Sequence, residues 1–443
     1  MAADADFQLS DEVLAPSHAG SGAQFNQHLY AEITGAPEHA LPDLEQKVVG
    51  LEPQLVRLFY NDRYAREKPD QLESFLRTGE LAQRAGAVLN VTWQSGPEAY
   101  TTDPDGFMGR FADVLDSLVT GRGVTRLRWV TIQNEPNTPK QPSQKEKVVT
   151  PDKLADLYHR LDRLLEAKGL RRQIRFMGGD LIRSNQEVWF DHMAHNLADL
   201  LDAYSVHVYW DFWQPRKFQG RLATVKKIVD GLPEAGRKPL FVTEFGVRGR
   251  NREPNKHDPG DFEDGTPVGK STIAAFQQAW FRILAAQLGY VGTLLWDCFS
   301  AKYDKAGTLA YSGIGPAEEG WPLYPSYWVL RLLTMSTDPG WQVRAVSSPA
   351  PSPKHLVAFT DGAAELTIVG LDERGAQTDD ATPEAYSIGG LTPGATYSLL
   401  VWNRGGGGHN VVEDPVVADA EGVGRLSVPR RAVFALTTKP FHP

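Results

Sequence analysis

The sequence has little cysteine, no long hydrophobic run and no surplus of positive charge. Its 443 residues include a single cysteine, Cys298, so no disulfide can form within the chain. No apolar stretch is long enough to cross a bilayer as a helix. The net charge of −9 argues against a nucleic acid or a membrane surface as partner. A hydrophobic content of 41% is typical of a globular protein with a large core.

Several motifs of other enzyme classes are also missing. The sequence has no Gly-x-Ser-x-Gly elbow, no His-Glu-x-x-His pair and no paired-cysteine motif. It has no dinucleotide-binding fingerprint either. We therefore expect neither a metal nor a cofactor. The first residues lack the basic and apolar segments of a secretory signal. The localisation is left open, and secretion after removal of a signal peptide is favoured over a cytoplasmic location.

Two stretches each present a glutamate at the end of an apolar run. In Trp129–Asn137, β-branched residues lead to Asn134-Glu135-Pro136, and the proline ends the regular structure. In Leu240–Gly246, a similar run leads to Glu244 and a glycine. Two carboxylates at strand ends are the catalytic groups of a glycoside hydrolase. Each glutamate taken alone is also compatible with a surface or rim position.

Apolar runs alternate with amphipathic segments over the first three quarters of the chain. The predicted strands are Ala23–Asn26, Leu55–Tyr60, Ala87–Thr92, Trp129–Gln133, Ile174–Gly178, Ala203–Tyr209, Pro239–Thr243 and Gly292–Trp296. Eight strands in regular β/α alternation predict an α/β fold, the (β/α)8 TIM barrel, rather than an open doubly wound sheet. We assign this catalytic barrel to residues 15–336.

The pattern changes after about residue 337. Helical periodicity disappears, and short alternating runs separated by Gly, Pro and Asp predict strands. Residues 337–443 are therefore predicted to form a small all-β, sandwich-like domain. A strand from residues 5–14 is a candidate to join it.

The spacing of the two glutamates fits opposite sides of a barrel mouth. They lie 109 residues apart, which corresponds to three β/α units. A glycoside held between them would be attacked from one side and protonated from the other. Carboxyl groups about 5–5.5 Å apart would retain the anomeric configuration, whereas about 6.5–9.5 Å would indicate an inverting enzyme.

These motifs resemble glycoside hydrolase clan A, the barrel glycosidases with glutamates on strands four and seven. Asn134-Glu135-Pro136 matches the clan's acid/base motif, and Thr243-Glu244-Phe245-Gly246 matches its nucleophile motif. Val91-Thr92-Trp93-Gln94 lacks the histidine common at this point in family five. The Gly22–Asn26 start and the β-rich tail are similar to families thirty and thirty-nine, with an unnamed related family as the alternative, and the exact family is left open. The resemblance covers about residues 20–335.

The resemblance implies roles for several residues. Glu135 would be the general acid/base and Glu244 the nucleophile. Asn134 would hydrogen-bond the sugar 2-hydroxyl, a bond that tightens in the transition state. Arg57 matches the strand-two arginine that keeps the nucleophile ionised, although a purely structural ion pair is the alternative.

Aromatic and histidine side chains complete the predicted sugar site. By resemblance, Tyr209 would hydrogen-bond Glu244, and His207 would contact the substrate or lie buried as a structural histidine. Trp296 matches the strand-eight tryptophan under the reactive sugar, although such residues also fill barrel cores. Trp93 and Trp210 lie just past strands, where they would stack on sugars or pack the loops.

The function that the sequence predicts is a retaining β-glycosidase. Its partner would be a carbohydrate, a β-linked oligo- or polysaccharide, and the aromatic residues favour endo-action. The alternatives are a transglycosylase with the same covalent intermediate and an inactive carbohydrate-binding barrel. The sequence predicts neither the sugar, nor the linkage, nor the oligomeric state.

Overall fold

The computed structural model describes residues 5–34, 36–94, 102–139, 149–250, 265–300, 312–376, 381–406 and 408–441. Strand β1, Phe7–Ala15, belongs to a second sheet, and the next eight strands close a parallel barrel. The barrel strands are β2 Gly20–Phe25, β3 Leu55–Tyr60, β4 Val88–Trp93, β5 Leu127–Thr131, β6 Arg175–Leu181, β7 Leu201–Asp211, β8 Leu240–Arg248 and β9 Tyr290–Leu295. The predicted (β/α)8 barrel is confirmed.

The barrel strands are buried almost along their whole length. Every residue of β3 and β9 is buried, for example. This is the pattern of parallel strands that helices cover on one side and barrel packing covers on the other. It explains why the sequence shows these strands as continuous apolar runs.

Helices follow the strands in regular alternation. They are α1 Leu41–Leu51, α2 Asp62–Glu67, α3 Pro69–Arg84, α4 Pro104–Asp116, α5 Pro151–Ala167, α6 Gln186–Asn196, α7 Arg216–Asp230, α8 Thr272–Gln287 and α9 Pro325–Ser336. The helix α1 was not predicted, although its buried Leu41, Leu44, Val48 and Leu51 have helical spacing. None of the described helices is long and apolar enough to span a membrane.

The strands after the barrel form one nine-stranded sheet with β1. They are β10 Gln342–Ser347, β11 Lys354–Thr360, β12 Leu366–Asp372, β13 Pro383–Gly389, β14 Thr396–Asn403, β15 Asn410–Val417, β16 Gly424–Pro429 and β17 Ala432–Thr437. The order is β15-β14-β17-β12-β11-β10-β1-β13-β16, and the two outer strands contact each other. The sheet therefore curls around a core of its own, which gives it a sandwich-like cross-section.

Strand β1 ties the amino-terminal segment into this sheet. It runs antiparallel to β10 and parallel to β13. Helices α8 and α9 of the barrel pack against strands β11 and β17 of the sheet, and the larger hydrophobic core continues across this boundary. The sheet thus supports the helix layer of the barrel and lies outside the ring of strands.

Candidate active site

The ends of β5 and β8 bring the two glutamates together at the carboxyl end of the barrel. Glu135 follows β5 with a left-handed backbone (φ 46°), and 30% of its side chain is exposed. Glu244 lies within β8, and only 10% of its side chain is exposed. One oxygen of each carboxylate and one nitrogen of His207 all lie within 4.8 Å of one another. The carboxyl ends of barrel strands are where enzymes of this fold build their sites.

Glu244 is held by two donors. Arg57 Nη1 donates to its Oε2 at 2.8 Å, and the Tyr209 hydroxyl donates to its Oε1 at 2.6 Å. Hydrogen bonds to a charged carboxylate favour its ionised form. The arrangement suits a group that must act as an anion.

Arg57 connects Glu244 to four further side chains. Its Nη1 also donates to Gln24 Oε1 at 2.9 Å, and its Nε donates to Thr92 Oγ1 at 3.1 Å. Its Nη2 donates to Asn134 Oδ1 at 2.7 Å and to Asp180 Oδ2 at 2.6 Å. The guanidinium is fully buried. Burial alone would lower the pKa of Arg57, but the charges of Asp180 and Glu244 outweigh it and raise the pKa.

Asn134 stands between this buried network and the cleft. Arg57 binds its carbonyl oxygen, and no described residue accepts a hydrogen bond from its Nδ2. An amide fixed at one end keeps its N–H groups oriented for a ligand hydroxyl. This geometry is compatible with the predicted contact to a sugar, which stays a prediction.

Among the described residues, the Glu135 carboxylate has its shortest contact with His207, and Thr138 Oγ1 donates a longer hydrogen bond of 3.5 Å. The ring Nδ1 lies 2.9 Å from Glu135 Oε1 and 3.7 Å from Glu244 Oε2. Only 1% of the His207 side chain is exposed. This burial favours the alternative of a buried, hydrogen-bonded histidine, and a direct contact of His207 with substrate stays a prediction.

The electrostatics of this pair favour a proton on the histidine. Burial lowers the pKa of His207, but the charge of Glu244, the charge of Asp180 3.7 Å away and the hydrogen bond to Glu135 outweigh it and raise the pKa to about 9. For Glu135, burial raises the pKa, but the bond from His207 and the charge of Arg57 prevail and lower it. At neutral pH the pair thus holds an imidazolium and a carboxylate.

Glu135, His207 and Glu244 are also the group of described residues with the spacing of metal ligands. Each carboxylate already accepts a hydrogen bond from a protein donor, Glu135 from His207 and Glu244 from Arg57 and Tyr209. A metal at this point would have to replace these bonds. The absence of a metal and of a cofactor stays a prediction.

Solved structures with this architecture are numerous, although no family model and no curated protein sequence matches the chain. A GH30 endoxylanase from Clostridium papyrosolvens C71 superposes with a TM-score of 0.66 at 13% identity, covering 98% of this chain and 100% of that one. GH30 xylanase C from Talaromyces cellulolyticus gives 0.69 at 11%, with 98% and 100% covered. A family 51 α-L-arabinofuranosidase from Bifidobacterium longum gives 0.66 at 15%, with 99% and 100% covered.

The chain has the fold of the GH30 and GH51 glycoside hydrolases. The superpositions extend over the barrel and the second sheet together. At this level of identity the similarity is one of fold, and fold alone does not assign a function.

Within this glycoside hydrolase fold, Trp93 and Trp210 do not face the cleft, and their predicted role in substrate binding is wrong. Trp93 is fully buried and packs against Phe107 and Phe111 of α4, with ring centroids 3.6 and 4.9 Å away. Trp210 is 2% exposed, and its Nε1 donates to Gln277 of α8 at 2.8 Å. Both rings are held in the layer between the strands and the helices.

Two other aromatic residues are better placed. Trp296, just after β9, packs against Phe59 with centroids 5.6 Å apart, and Tyr209 packs against the same pair. Trp296 therefore lies next to the Tyr209–Glu244 hydrogen bond. This is the position expected of a tryptophan under the reactive sugar. Trp213, in the connection after β7, is 39% exposed, which leaves part of its ring open to a ligand.

Asp180 is a site residue that the sequence analysis did not single out. It is fully buried near the end of β6 with a left-handed backbone (φ 53°). Its Oδ2 accepts from Arg57, and its Oδ1 accepts from Ser205 Oγ at 2.8 Å and from Thr243 Oγ1 at 2.5 Å. Burial raises the pKa of Asp180, but the charge of Arg57, the nearby His207 and the hydrogen bond from Thr243 prevail and hold it well below the usual range. No local signal in the sequence distinguishes it from the other aspartates near strand ends.

Asp297 is a second buried carboxyl group at this end of the barrel. It follows Trp296, and its Oδ1 accepts a hydrogen bond from Ser312 Oγ at 2.6 Å. Burial, with a contribution from the charge of Glu244, raises the pKa of Asp297 to about 8 despite the bond from Ser312. At neutral pH it is therefore mainly protonated and adds little negative charge beside Glu244.

Proposed function

We propose that this protein is a retaining glycoside hydrolase, with Glu244 as nucleophile and Glu135 as general acid/base. The observation that carries the proposal is the close approach of the two carboxylates, which bring oxygen atoms within 4.8 Å of each other. An inverting enzyme needs about 6.5–9.5 Å between its carboxyl groups to admit a water molecule. The match of both motifs to clan A and the shared fold with GH30 and GH51 enzymes support the same assignment.

The contacts of each glutamate suit its role in a double displacement. Glu244 attacks the anomeric carbon as Glu135 gives a proton to the departing oxygen, and a glycosyl ester forms on Glu244. Water, deprotonated by Glu135, then cleaves the ester and restores both groups. Arg57 and Tyr209 bind the Glu244 carboxylate and orient it for the attack. Asn134 would donate from its Nδ2, which no described residue binds, to a hydroxyl beside the reacting carbon.

For the substrate, we propose a β-linked oligo- or polysaccharide. The names of the similar structures include xylanases and α-L-arabinofuranosidases, so pentose-containing polysaccharides are the first class to examine. The exposed Trp213 favours an additional sugar position beyond the reactive one, which is the feature expected of an endo-acting enzyme. Trp296 would support the ring at the reactive position.

The test is hydrolysis of a panel of xylans, β-glucans, mannans, arabinans and aryl glycosides, followed by ¹H NMR of the first sugar released. We expect at least one β-glycoside or α-L-arabinofuranoside to be cleaved with retention of configuration. Glu244→Ala should abolish the activity, whereas Glu234→Ala, at an exposed glutamate, should retain it.

Three outcomes would contradict the proposal in different ways. Release of the inverted anomer would exclude the retaining mechanism. Transfer to an added sugar acceptor in preference to water would indicate a transglycosylase. Binding of a polysaccharide by the wild-type protein without any cleavage of the panel would indicate a carbohydrate-binding barrel.

A further inference from the structure

His207 lies among three carboxylates that belong to three different strand ends. Its Nδ1 is 2.9 Å from Glu135 Oε1 and 3.7 Å from Glu244 Oε2, and its Nε2 is 3.7 Å from Asp180 Oδ1. The pairing of β7 with β8 places His207 directly beside Glu244. Because 1% of the side chain is exposed, water contributes little to the stability of its charge.

The charges of this cluster are unbalanced without a proton on His207. Glu135, Glu244 and Asp180 supply three negative charges, and Arg57 is the permanent cation among them. Buried charges of one sign cannot all persist unless a partner or a proton compensates them. An imidazolium at His207 lies within 4.0 Å of all three carboxylates, so it is the group best placed to hold that proton.

We propose, building on the glycosidase function above, that His207 stores the proton that Glu135 delivers to the leaving group, and that Asp180 is the positioning residue that keeps His207 in this role. In the resting site the proton is on Nδ1, bonded to Glu135 Oε1. As the glycosidic bond breaks, the Nδ1–H bond is lost, Glu135 receives the proton, and the departing oxygen takes it. The histidine is then neutral and Glu135 is a carboxylate.

The attack by Glu244 is what releases the stored proton. The charge of Glu244 is the largest contribution that raises the pKa of His207 against the opposing effect of burial. Formation of the glycosyl ester removes that charge, and the pKa of the histidine falls. The cluster loses one negative charge on Glu244 and one positive charge on His207, so its net charge is the same before and after. When water cleaves the ester, its proton passes through Glu135 back to Nδ1.

Asp180 is built to stay ionised through this cycle. Ser205 and Thr243 donate hydrogen bonds to its Oδ1, and Arg57 donates to its Oδ2. It touches neither the cleft nor the reacting atoms, because it is fully buried. Its constant charge on the Nε2 side of the ring therefore favours the imidazolium, whereas Glu244 loses its charge when the ester forms and regains it when the ester is cleaved.

The direct test is a pH titration of the histidine rings by NMR in protein labelled at histidine. The signal of His207 is identified among the 11 histidines by its loss in His207→Gln. We expect it to titrate with a pKa near 9 in the wild type. Glu244→Gln imitates the uncharged ester and should lower this pKa by at least about one unit, and Asp180→Asn should lower it too.

Asp191→Asn provides the matched control, since Asp191 pairs with the exposed His195 at 3.4 Å. It should leave the titration of His207 unchanged. The proposal is overturned if His207 titrates at or below the ordinary pKa of about 6.5 in the wild type, or if Glu244→Gln leaves its pKa unchanged. If His207→Gln does not fold, the signal that responds to both Glu244→Gln and Asp180→Asn but not to Asp191→Asn identifies the ring.

Kinetics separate this proposal from a purely structural role of Asp180. For a substrate with a poor leaving group, kcat/KM should fall only as pH rises through about 9, where His207 loses its proton. Asp180→Asn should move this alkaline limb to lower pH, and a substrate with a good leaving group should not show the limb. An unshifted limb in a folded Asp180→Asn variant contradicts the positioning role. The NMR titration needs no substrate, so it tests the proton on His207 even if the substrate panel shows that the protein is not a glycosidase.

Discussion

The two glutamates of the site differ in the kind of partner that holds them. Glu244 accepts hydrogen bonds from Arg57, a permanent cation, and from the Tyr209 hydroxyl. Glu135 accepts its short bond from His207, which can gain or lose a proton. Glu244 is also the less exposed of the two, with 10% of its side chain accessible against 30% for Glu135. The difference separates a group held as an anion from a group able to exchange protons.

This difference shows how two carboxylates at the same barrel mouth can have different roles, one as nucleophile and one as general acid/base. Their side chains approach within 4.8 Å, so both experience nearly the same cleft. What separates them is the hydrogen-bond partner of each, Arg57 for Glu244 and His207 for Glu135. The surroundings of a carboxylate, more than its identity, decide whether it serves as nucleophile or acid.

Removal of the nucleophile should have the largest effect on activity. We expect Glu244→Ala to lower kcat by at least about 10⁴-fold, because no other group can form the glycosyl ester. Added azide should restore turnover in this variant and give a glycosyl azide of the opposite anomeric configuration, which NMR identifies. Substantial activity of Glu244→Ala without azide would remove the distinction between the two glutamates.

Removal of the acid should have an effect that depends on the leaving group. For Glu135→Ala we expect a loss of about 10²–10⁴-fold with a poor leaving group and a much smaller loss with an activated aryl glycoside. A series of aryl glycosides with graded leaving-group pKa measures this. Equal losses across the series would contradict the role of Glu135 as proton donor.

Loss of the buried cation should mainly affect stability. Arg57→Met leaves Asp180 and Glu244 without their charge partner, and we expect a destabilisation of about 3–5 kcal/mol in urea unfolding. Arg63→Met, at an ion pair whose arginine side chain is 73% exposed, should leave the unfolding midpoint nearly unchanged. Similar midpoints for both variants would show that Arg57 is not the electrostatic centre of the site.

The smallest effect that we expect comes from Tyr209→Phe. A hydrogen bond to a charged group contributes about 1.5–3 kcal/mol, which corresponds to a loss in kcat/KM of roughly 10- to 150-fold. The loss should be similar for good and poor leaving groups, since Tyr209 acts on the nucleophile and not on the acid. A loss confined to poor leaving groups would place Tyr209 on the side of Glu135.

Much of the barrel could be predicted from the sequence because its strands are buried on both sides. That burial makes them continuous apolar runs, and their alternation with helices leaves few other topologies. Glu135, Glu244 and Arg57 were found because each lies in a recognisable motif on such a run. The structure brings all three within one network of hydrogen bonds and ion pairs.

Trp93 and Trp210 show that a position near a strand end is not enough to predict that a side chain faces the cleft. Thr92 contacts Arg57 inside the barrel, so Trp93, the next residue along β4, points outward to the helices. Tyr209 faces Glu244, and Trp210 points outward in the same way. Side chains alternate along each strand, so the outward direction of both rings could have been predicted if the residues that face the barrel axis had been known.

Asp180 could not be predicted for a different reason. Several aspartates follow strands in this sequence, and nothing local distinguishes the one that meets Arg57 and His207. Its role depends on contacts across four strands, with partners as far away in the sequence as Arg57. Such a buried network is a property of the closed barrel and not of any single segment.

The most direct measurement is to trap the covalent intermediate. The wild-type protein is incubated with an activated 2-deoxy-2-fluoro glycoside of whichever sugar the panel identifies, digested, and analysed by mass spectrometry. We predict one glycosyl adduct, on the peptide that contains Glu244, with the Glu135 peptide unmodified. An adduct on Glu135, or inactivation of a turning-over enzyme without any adduct on Glu244, would contradict the account.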